Sequence, residues 1–86
     1  MFSATTPNQA RILIVDDEPA FRLLAERFLQ QQGYQVAGAA NLDETRTKLQ
    51  QFDADLILLD LALPPQFDPA HTLASVPEFS TRPVII

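Results

Sequence analysis

Three aspartates directly follow two short apolar segments of the chain. Asp16 and Asp17 come after "RILIV", residues 11–15, and Asp60 comes after "DLILL", residues 55–59. Segments this short and this apolar are typical of parallel strands in the centre of a sheet. Because the carboxyl ends of neighbouring parallel strands meet at one edge, where α/β proteins bind their ligands, we expect the three carboxylates to converge.

The chemistry of such a carboxylate cluster follows from electrostatic repulsion. Two unit charges about 4 Å apart repel by about 4 kcal/mol at an effective dielectric constant of about 20. The cluster therefore either takes up a proton or binds a cation, and a few carboxylates with room for water suit Mg²⁺. A cation held there would also screen the oxygens of a phosphoryl group, so Asp60 could act as the in-line nucleophile and form an aspartyl phosphate.

The first element that must position these aspartates is a helix after the first strand. The acidic run 16–18 leads into Pro19, which suits a first helical turn, and Gly33 suits a helix end. Apolar residues recur along this helix at i, i+3, i+4 and i+7, which predicts a stripe packed on the core: Phe21, Leu24, Ala25 and Phe28.

The rest of the chain continues the alternation of strands and helices. Asn41 is a candidate N-cap with Glu44 three residues later, which predicts where the second helix begins. The alternation predicts an α/β domain with a parallel sheet, right-handed crossovers and helices on both faces. If the strand order is 2-1-3-4, the two strands that end in aspartates are neighbours. The remaining elements are expected as a strand over 34–39, helices over 42–51 and from 68 or 69 to 76, and a strand over 82–86.

Composition limits the class of protein. With 86 residues, 47% apolar and 20% charged, the chain fits one globular domain over residues 11–86 after a flexible arm over residues 1–10. The absence of cysteine excludes disulfides and a thiolate zinc site. A net charge of −5 disfavours direct binding to nucleic acid or to an anionic membrane surface. Since there is neither a signal peptide nor an apolar run of about 18 residues, we expect a cytoplasmic protein.

Three segments taken together resemble the receiver domain of two-component response regulators. They are "ILIVDDEP" at 12–19, "DLILLDLALP" at 55–64 and "RPVII" at 82–86. The resemblance implies a flavodoxin-like, doubly wound parallel sheet. It also implies a signalling domain that takes a phosphoryl group from a sensor histidine kinase or a phosphotransfer protein, and that is not an enzyme beyond Mg²⁺-assisted self-phosphorylation.

The same resemblance implies roles for individual residues. Asp60 would be the phosphoacceptor and a member of the Mg²⁺ site. Asp17 would bind Mg²⁺ directly, Asp16 would act through water, and the backbone carbonyl of Ala62 would be a further ligand. Pro64 matches the loop proline of the family.

The chain also departs from the family pattern. Receivers carry a serine or threonine directly after the fourth strand and a lysine after the fifth, and neither position exists here. Asp68-Pro69 stands where many receivers have Asp-Gly, which forfeits the backbone freedom of glycine. The resemblance covers three and a half of five repeats, so the sheet is expected to be truncated after the fourth strand, without the fifth strand and last helices. The fourth strand at 84–86 would then be an open edge of the sheet, beside an uncovered flank of the first helix. This arrangement predicts either that the chain self-associates or that it is a fragment of a longer receiver.

The same residues allow other functions to be compared with the receiver function. The main alternative is a receiver-like protein interaction module that neither holds nor transfers phosphate. A haloacid-dehalogenase-type phosphatase needs a second aspartate where Ala62 lies, and a dinucleotide fold needs a glycine-rich turn, whereas only Gly33 and Gly38 are present. The acidic run 16–18 could also simply stabilise the helix dipole. His71, the single histidine, is expected to be a surface residue.

Overall fold

The structure, a computed structural model, describes residues 10–61, 63–64 and 67–86. All seven predicted strands and helices are found, with a 3₁₀ turn that the sequence did not predict. Apart from Ala10, the predicted arm lies outside the described residues. In the described part of the chain no helix is both long enough and apolar enough to span a membrane. The elements are β1 (Arg11–Val15), α1 (Pro19–Gln31), β2 (Gln35–Ala39), α2 (Leu42–Gln51), β3 (Leu56–Leu59), α3 (Pro69–Ser75), the 3₁₀ turn (Pro77–Ser80) and β4 (Val84–Ile85).

The four strands form one parallel sheet in the order β2-β1-β3-β4, which confirms the predicted order. In the register of the sheet, Val15 of β1 lies opposite both Ala39 of β2 and Leu59 of β3. The chain runs from β1 outward to β2 and then returns to the other side of β1. The carboxyl ends of β1 and β3 therefore flank the point where the strand order reverses.

One face of the sheet carries the main core. Successive strand residues point to opposite faces, so Leu13 and Val15 of β1 share this face with Ile57 and Leu59 of β3, and all four are buried. Leu49 of α2 packs into the same cluster. The segments that follow β3 add further buried apolar side chains to it: Leu63, Val76 and Phe79.

The opposite face of the sheet is only partly covered. Ile12 and Ile14 of β1 are buried there, whereas Leu56 and Leu58 of β3 are half-buried. The uniformly apolar sequence of β3 predicts cover on both faces, and this prediction is wrong for the α1 side. The reason is that α1 packs against β2 and β1.

The apolar stripe of α1 does not pack on the core as predicted. Phe21, Leu24 and Phe28 are 52%, 70% and 61% exposed, and no residue of α1 is fully buried. The prediction that the flank beside this stripe is open to water is confirmed. Of the predicted stripe only Ala25 is half-buried, and the other half-buried residues of α1 lie beside it on the side that faces the sheet: Arg22, Glu26 and Leu29.

Gly38 in β2 explains how a charged side of α1 can lie on the sheet. A Cβ atom at position 38 would collide with the carboxylate of Glu26 and would lie 3.6 Å from Cδ of Arg22. The bare strand surface at Gly38 therefore leaves room for the carboxylate of Glu26 and for the aliphatic stem of Arg22.

The amino ends of β1 and β3 are joined by a network of charged side chains. Arg82 Nη1 donates to Oδ1 of Asp53 and to the carbonyl of Ala54, both at 2.7 Å. The backbone N–H of Arg11 donates to Oδ2 of Asp55 at 2.8 Å. The hydrogen bond from Arg82, followed by the positive charge of Arg82 and then of Arg11, lowers the pKa of Asp53.

Candidate metal and phosphoacceptor site

The three predicted aspartates lie together in the structure. Asp16, Asp17 and Asp60 each offer a carboxylate oxygen, and these oxygens are all within 4.8 Å of one another. The register causes this proximity, because Val15 lies opposite Leu59 and the next residues along the two strands are Asp16 and Asp60. The ladder continues through the N–H of Asp60, which donates to the carbonyl of Val15 at 2.8 Å.

Asp16 is held by hydrogen bonds from three directions. Its N–H donates to the carbonyl of Ala39 at 3.0 Å, which extends the pairing of β1 with β2. Its carboxylate Oδ1 accepts the N–H of Glu18 at 2.9 Å. Its carbonyl accepts Nη1 of Arg22 at 2.7 Å. The backbone at the end of β1 is therefore fixed before the chain enters α1.

The acidic run 16–18 serves two purposes. Glu18 is the N-cap of α1, and its Oε1 accepts the N–H of Ala20 at 3.3 Å. Stabilisation of the helix end thus accounts for Glu18. It does not account for the position of Asp17, whose exposed carboxylate lies beside that of Asp60 on a different strand.

The donor set fits a magnesium ion. Its side-chain donors are carboxylate oxygens only, which suit a hard cation. Asp17 is exposed while Asp16 and Asp60 are half-buried, so water can complete the coordination shell that Mg²⁺ prefers to keep. Bringing three negative charges this close together without a cation is unfavourable, which adds to the attraction for one.

The remaining predicted ligand, Ala62, lies outside the described residues. The structure does describe how the preceding residue is held. The carbonyl of Leu61 accepts Oγ1 of Thr72 at 2.7 Å, and Thr72 is buried within α3. α3 therefore anchors the loop immediately before position 62.

The loop after β3 differs from the expectation based on Asp68-Pro69. Phe67, and not Asp68, takes the left-handed conformation with φ of 52°, and its N–H donates to the carbonyl of Leu63 at 2.8 Å. Asp68 is instead the N-cap of α3, and its Oδ1 accepts the N–H of Ala70 at 3.0 Å. The Asp-Pro pair thus begins a helix, a role that needs no glycine.

A groove of about 500 Å³ opens beside the carboxylates on the α1 side of the sheet. Asp16 and Asp60 stand at one end, and the rest of its lining is apolar. Three exposed apolar residues are part of this lining: Phe21, Ile85 and Ile86. The apolar lining residues are Ile14, Val15, Phe21, Leu58, Leu59, Leu61, Ile85 and Ile86.

Two residues next to the cluster were not among the predicted site residues. Arg22 lies close to the N-terminus of α1, where the helix dipole disfavours a cation, and this is a sequence signal that it has another partner. Thr72 is a β-branched polar residue inside a short helix, a position that favours a side-chain hydrogen bond. His71, by contrast, is exposed on α3, which confirms its prediction as a surface residue.

Sequence comparisons match residues 12–86 to the family described as "Response regulator receiver domain". The chain is similar to the transcriptional regulatory protein ResD of Bacillus subtilis, with 35% identity over 79 residues that cover 92% of this chain and 32% of ResD. It is also similar to the alginate biosynthesis transcriptional regulatory protein AlgB of Pseudomonas syringae pv. tomato, with 43% identity over 60 residues that cover 70% of this chain and 13% of AlgB. The chain therefore spans less than a third of the length of either relative.

Solved structures give the same assignment. The response regulator TrrA of Thermotoga maritima, solved in complex with Mg²⁺ and BeF, superimposes with a TM-score of 0.73 at 30% identity, covering 91% of this chain and 68% of TrrA. The chemotaxis response regulator CheY4 of Vibrio cholerae gives a TM-score of 0.74 at 28% identity, covering 88% of this chain and 65% of CheY4. These likenesses confirm the flavodoxin-like fold. Since the family match also extends over most of the sequence, the chain belongs to the response regulator receiver domain family.

Proposed function

We propose that Asp60 accepts a phosphoryl group from a sensor histidine kinase or a phosphotransfer protein. The observation that carries this proposal is the convergence of the three carboxylates within 4.8 Å, in a chain that belongs to the receiver family. Asp60 is half-buried at the end of a central strand, and the neighbouring Asp17 is exposed to solvent. An approaching donor group can therefore reach its carboxylate.

The proposed cofactor is Mg²⁺. Asp17 and Asp60 would bind it directly, Asp16 would bind it through water, and the carbonyl of Ala62 would complete the protein ligands. The donor set and the Mg²⁺ complex of the similar regulator TrrA support this proposal. When bound, Mg²⁺ supplies positive charge to the phosphoryl oxygens.

The proposed transfer needs little chemistry from the protein beyond positioning. A carboxylate oxygen of Asp60 attacks the phosphorus in line, while the P–N bond of the donor phosphohistidine breaks and the leaving imidazole nitrogen takes a proton. The product is an aspartyl phosphate on Asp60. The backbone hydrogen bond from Asp60 to Val15 holds the nucleophile at the strand end during this attack.

The proposal also covers the setting of the reaction. Residues 11–86 would act as a partial receiver domain after the arm over residues 1–10. The domain would work in the cytoplasm as a signalling element, with a kinase or phosphotransfer protein as partner. Direct contact with nucleic acid is not part of the proposed role, since the net charge of −5 disfavours it.

Intact-mass measurement after incubation with acetyl phosphate and Mg²⁺ tests this function. We expect the mass of one phosphoryl group to be added to the unsubstituted protein and not to Asp60→Asn. Asp43→Asn is a matched control, because it removes an exposed carboxylate of α2 that lies outside the cluster. A failure of the unsubstituted protein to gain mass, or an equal gain in Asp60→Asn, would contradict the assignment.

A second candidate function is a receiver-like interaction module that self-associates. The exposed stripe of Phe21, Leu24 and Phe28 beside the apolar groove favours it, together with Ile85 and Ile86, which are 55% and 76% exposed. Apolar surface of this kind beside a short edge strand is typical of an interface. Such a module would neither hold nor transfer phosphate, so the absence of a mass gain in the unsubstituted protein would favour it.

A further inference from the structure

The peptide group that joins Asp16 to Asp17 is oriented by a side chain of the following helix. Nη1 of Arg22 donates to the carbonyl of Asp16 at 2.7 Å. The carbonyl of Asp16 and the N–H of Asp17 belong to one planar unit. Holding the carbonyl oxygen therefore restrains the orientation of this unit, and with it the direction in which the chain continues to Asp17.

The other hydrogen bonds of Asp16 involve groups other than this carbonyl. The N–H of Asp16 bonds to Ala39, and this fixes the preceding peptide group. The carboxylate of Asp16 bonds to the N–H of Glu18 and closes a turn around the Asp16–Asp17 peptide, so this bond restrains the same unit from the other side. Among the residues that the structure describes, the donor to the carbonyl of this peptide is Arg22.

Arg22 is itself held in a defined place. Its backbone N–H donates to the carbonyl of Glu18 at 3.1 Å, so it stands in the first turns of α1. The side chain is half-buried on the side of α1 that faces β2, and its stem lies close to Gly38. An arginine packed in this way loses less conformational freedom when it donates to Asp16 than an exposed one would.

We propose that Arg22 is a positioning residue for the Mg²⁺ site, which it serves by holding Asp17 within reach of Asp16 and Asp60. This inference rests on the proposed function, because it concerns the same metal site. Arg22 does not coordinate the ion in this proposal. It acts through the backbone of Asp16, and the carboxylate of Asp17 is the group that it places.

The direction in which the Mg²⁺ affinity changes when Arg22 is substituted separates this role from a purely electrostatic effect. A guanidinium close to the site repels Mg²⁺, so loss of its charge alone would tighten Mg²⁺ binding. Loss of positioning would weaken Mg²⁺ binding, because ordering Asp17 on binding would then cost part of the binding free energy. The two explanations therefore predict changes in opposite directions for the same substitution.

The experiment is a Mg²⁺ titration of the purified protein, monitored through backbone amide chemical shifts. It compares the unsubstituted chain with three arginine variants. Arg22→Met keeps the aliphatic stem and removes the hydrogen bond, and we expect its Mg²⁺ affinity to fall by about tenfold. Arg22→Lys keeps one donor and should recover part of the loss. Arg27→Met is the matched control, because it removes the same charge from an exposed position of the same helix, and its affinity should stay within about twofold.

Urea unfolding of each variant in the presence of a chelator provides the second measurement. A residue that is only structural would lower the free energy of unfolding of Arg22→Met without changing the Mg²⁺ affinity of the folded molecules. That result, or an affinity equal to or tighter than that of the unsubstituted protein, would overturn the inference. Titration of Asp17→Asn with Mg²⁺ separates failure of this inference from failure of the proposed metal site. If Mg²⁺ binding depends on Asp17 but not on Arg22, only the inference about Arg22 is overturned. If the unsubstituted protein does not bind Mg²⁺, the proposed metal site is overturned as well.

Discussion

Val15 and Leu59 lie directly opposite each other in the β1–β3 ladder, and this single pairing places Asp16 next to Asp60. Side chains alternate between the two faces of a sheet, so a shift of β3 by one residue would move Asp60 away from Asp16 and turn its side chain to the other face. The buried face of Leu13, Val15, Ile57 and Leu59 makes such a shift unfavourable. The hydrophobic core therefore also fixes the geometry of the acidic site.

The first prediction concerns the repulsion within the acidic cluster. Asp17→Asn removes one of three charges that lie within 4.8 Å of one another. We expect it to raise the free energy of unfolding in the presence of a chelator by about 1 kcal/mol, given the exposure of this residue. With Mg²⁺ at about 100 times the dissociation constant, the unsubstituted protein should gain about 2.7 kcal/mol that the variant lacks. Urea unfolding with and without Mg²⁺ measures both effects. If Asp17→Asn were less stable than the unsubstituted protein in the presence of a chelator, the predicted repulsion would be contradicted.

The second prediction concerns pH and the ion pair of Asp53 with Arg82. Since the pKa of Asp53 in the folded protein lies below its ordinary value of 3.8, the pair stabilises the fold above pH 3.8, and this contribution is lost as the pH falls through the lowered pKa. The difference in unfolding free energy between the unsubstituted protein and Asp53→Asn should therefore shrink as the pH is lowered from 3.8. Urea unfolding as a function of pH measures it. In an Arg82→Met background the same substitution should show little pH dependence in this range, and an unchanged dependence there would assign the effect to another partner.

The third prediction concerns the buried hydroxyl of Thr72. Thr72→Val keeps the shape of the side chain but leaves the carbonyl of Leu61 without the hydroxyl that it accepts at 2.7 Å. We expect a loss of about 1 to 2 kcal/mol of unfolding free energy. Thr72→Ser is the control, because it keeps the hydroxyl. Hydrogen exchange at the amide of Phe67, which bonds to Leu63 in the same loop, should become faster in the valine variant and not in the serine variant.

The fourth prediction concerns self-association through α1. Leu24 is 70% exposed in the apolar stripe, so Leu24→Glu should leave the fold intact and abolish any dimer that forms through this surface. Leu73→Glu is a matched control, because Leu73 is 44% exposed on α3, outside the stripe. Sedimentation velocity over a range of concentrations measures the oligomeric state. Equal association of both variants and the unsubstituted protein would place the contact elsewhere.

The fifth prediction concerns the left-handed backbone at Phe67. An aromatic residue with φ of 52° is strained, and its side chain is 59% exposed, so it buries little apolar surface in return. Phe67→Gly should raise the free energy of unfolding by about 0.5 to 1 kcal/mol. Gly33→Ala is the converse test at φ of 98° and should lower it by a similar amount. Both values come from urea unfolding, and a destabilised Phe67→Gly would show that its side-chain contacts outweigh the strain.

Much of the fold was predictable because local signals agree with the tertiary arrangement. β1 and α2 have the predicted bounds, and α2 begins at Leu42 because Asn41 caps it and Glu44 accepts the N–H of Ala40. The acidic cluster was also predictable, since two apolar strands that end in aspartate need only be neighbours. The 3₁₀ turn was missed because Pro77 and the residues after it have no periodicity from which to identify an element.

The orientation of α1 could not be predicted from its own residues. Periodicity identifies an apolar stripe, but it does not identify which neighbouring element covers that stripe. The side that meets the sheet depends on Gly38, a residue of the next strand, and on the reach of Arg22 toward Asp16. The hydrogen bond of Thr72 to Leu61 likewise joins two segments whose distance is set by the packed structure.

The ion pairs at the amino ends of β1 and β3 have a consequence for how the two ends of this ladder fray. At the amino end, Asp55 donates its N–H to the carbonyl of Arg11 among oppositely charged partners. At the other end, the N–H of Asp60 donates to Val15 beneath three like charges. The two ends of the ladder thus differ in their electrostatics. In a hydrogen-exchange experiment the amide of Asp60 should therefore exchange before that of Asp55. A bound divalent ion would offset the like charges beside Asp60 and slow this exchange. The exchange rate of the Asp60 amide would therefore report the fraction of protein with an ion in the metal site.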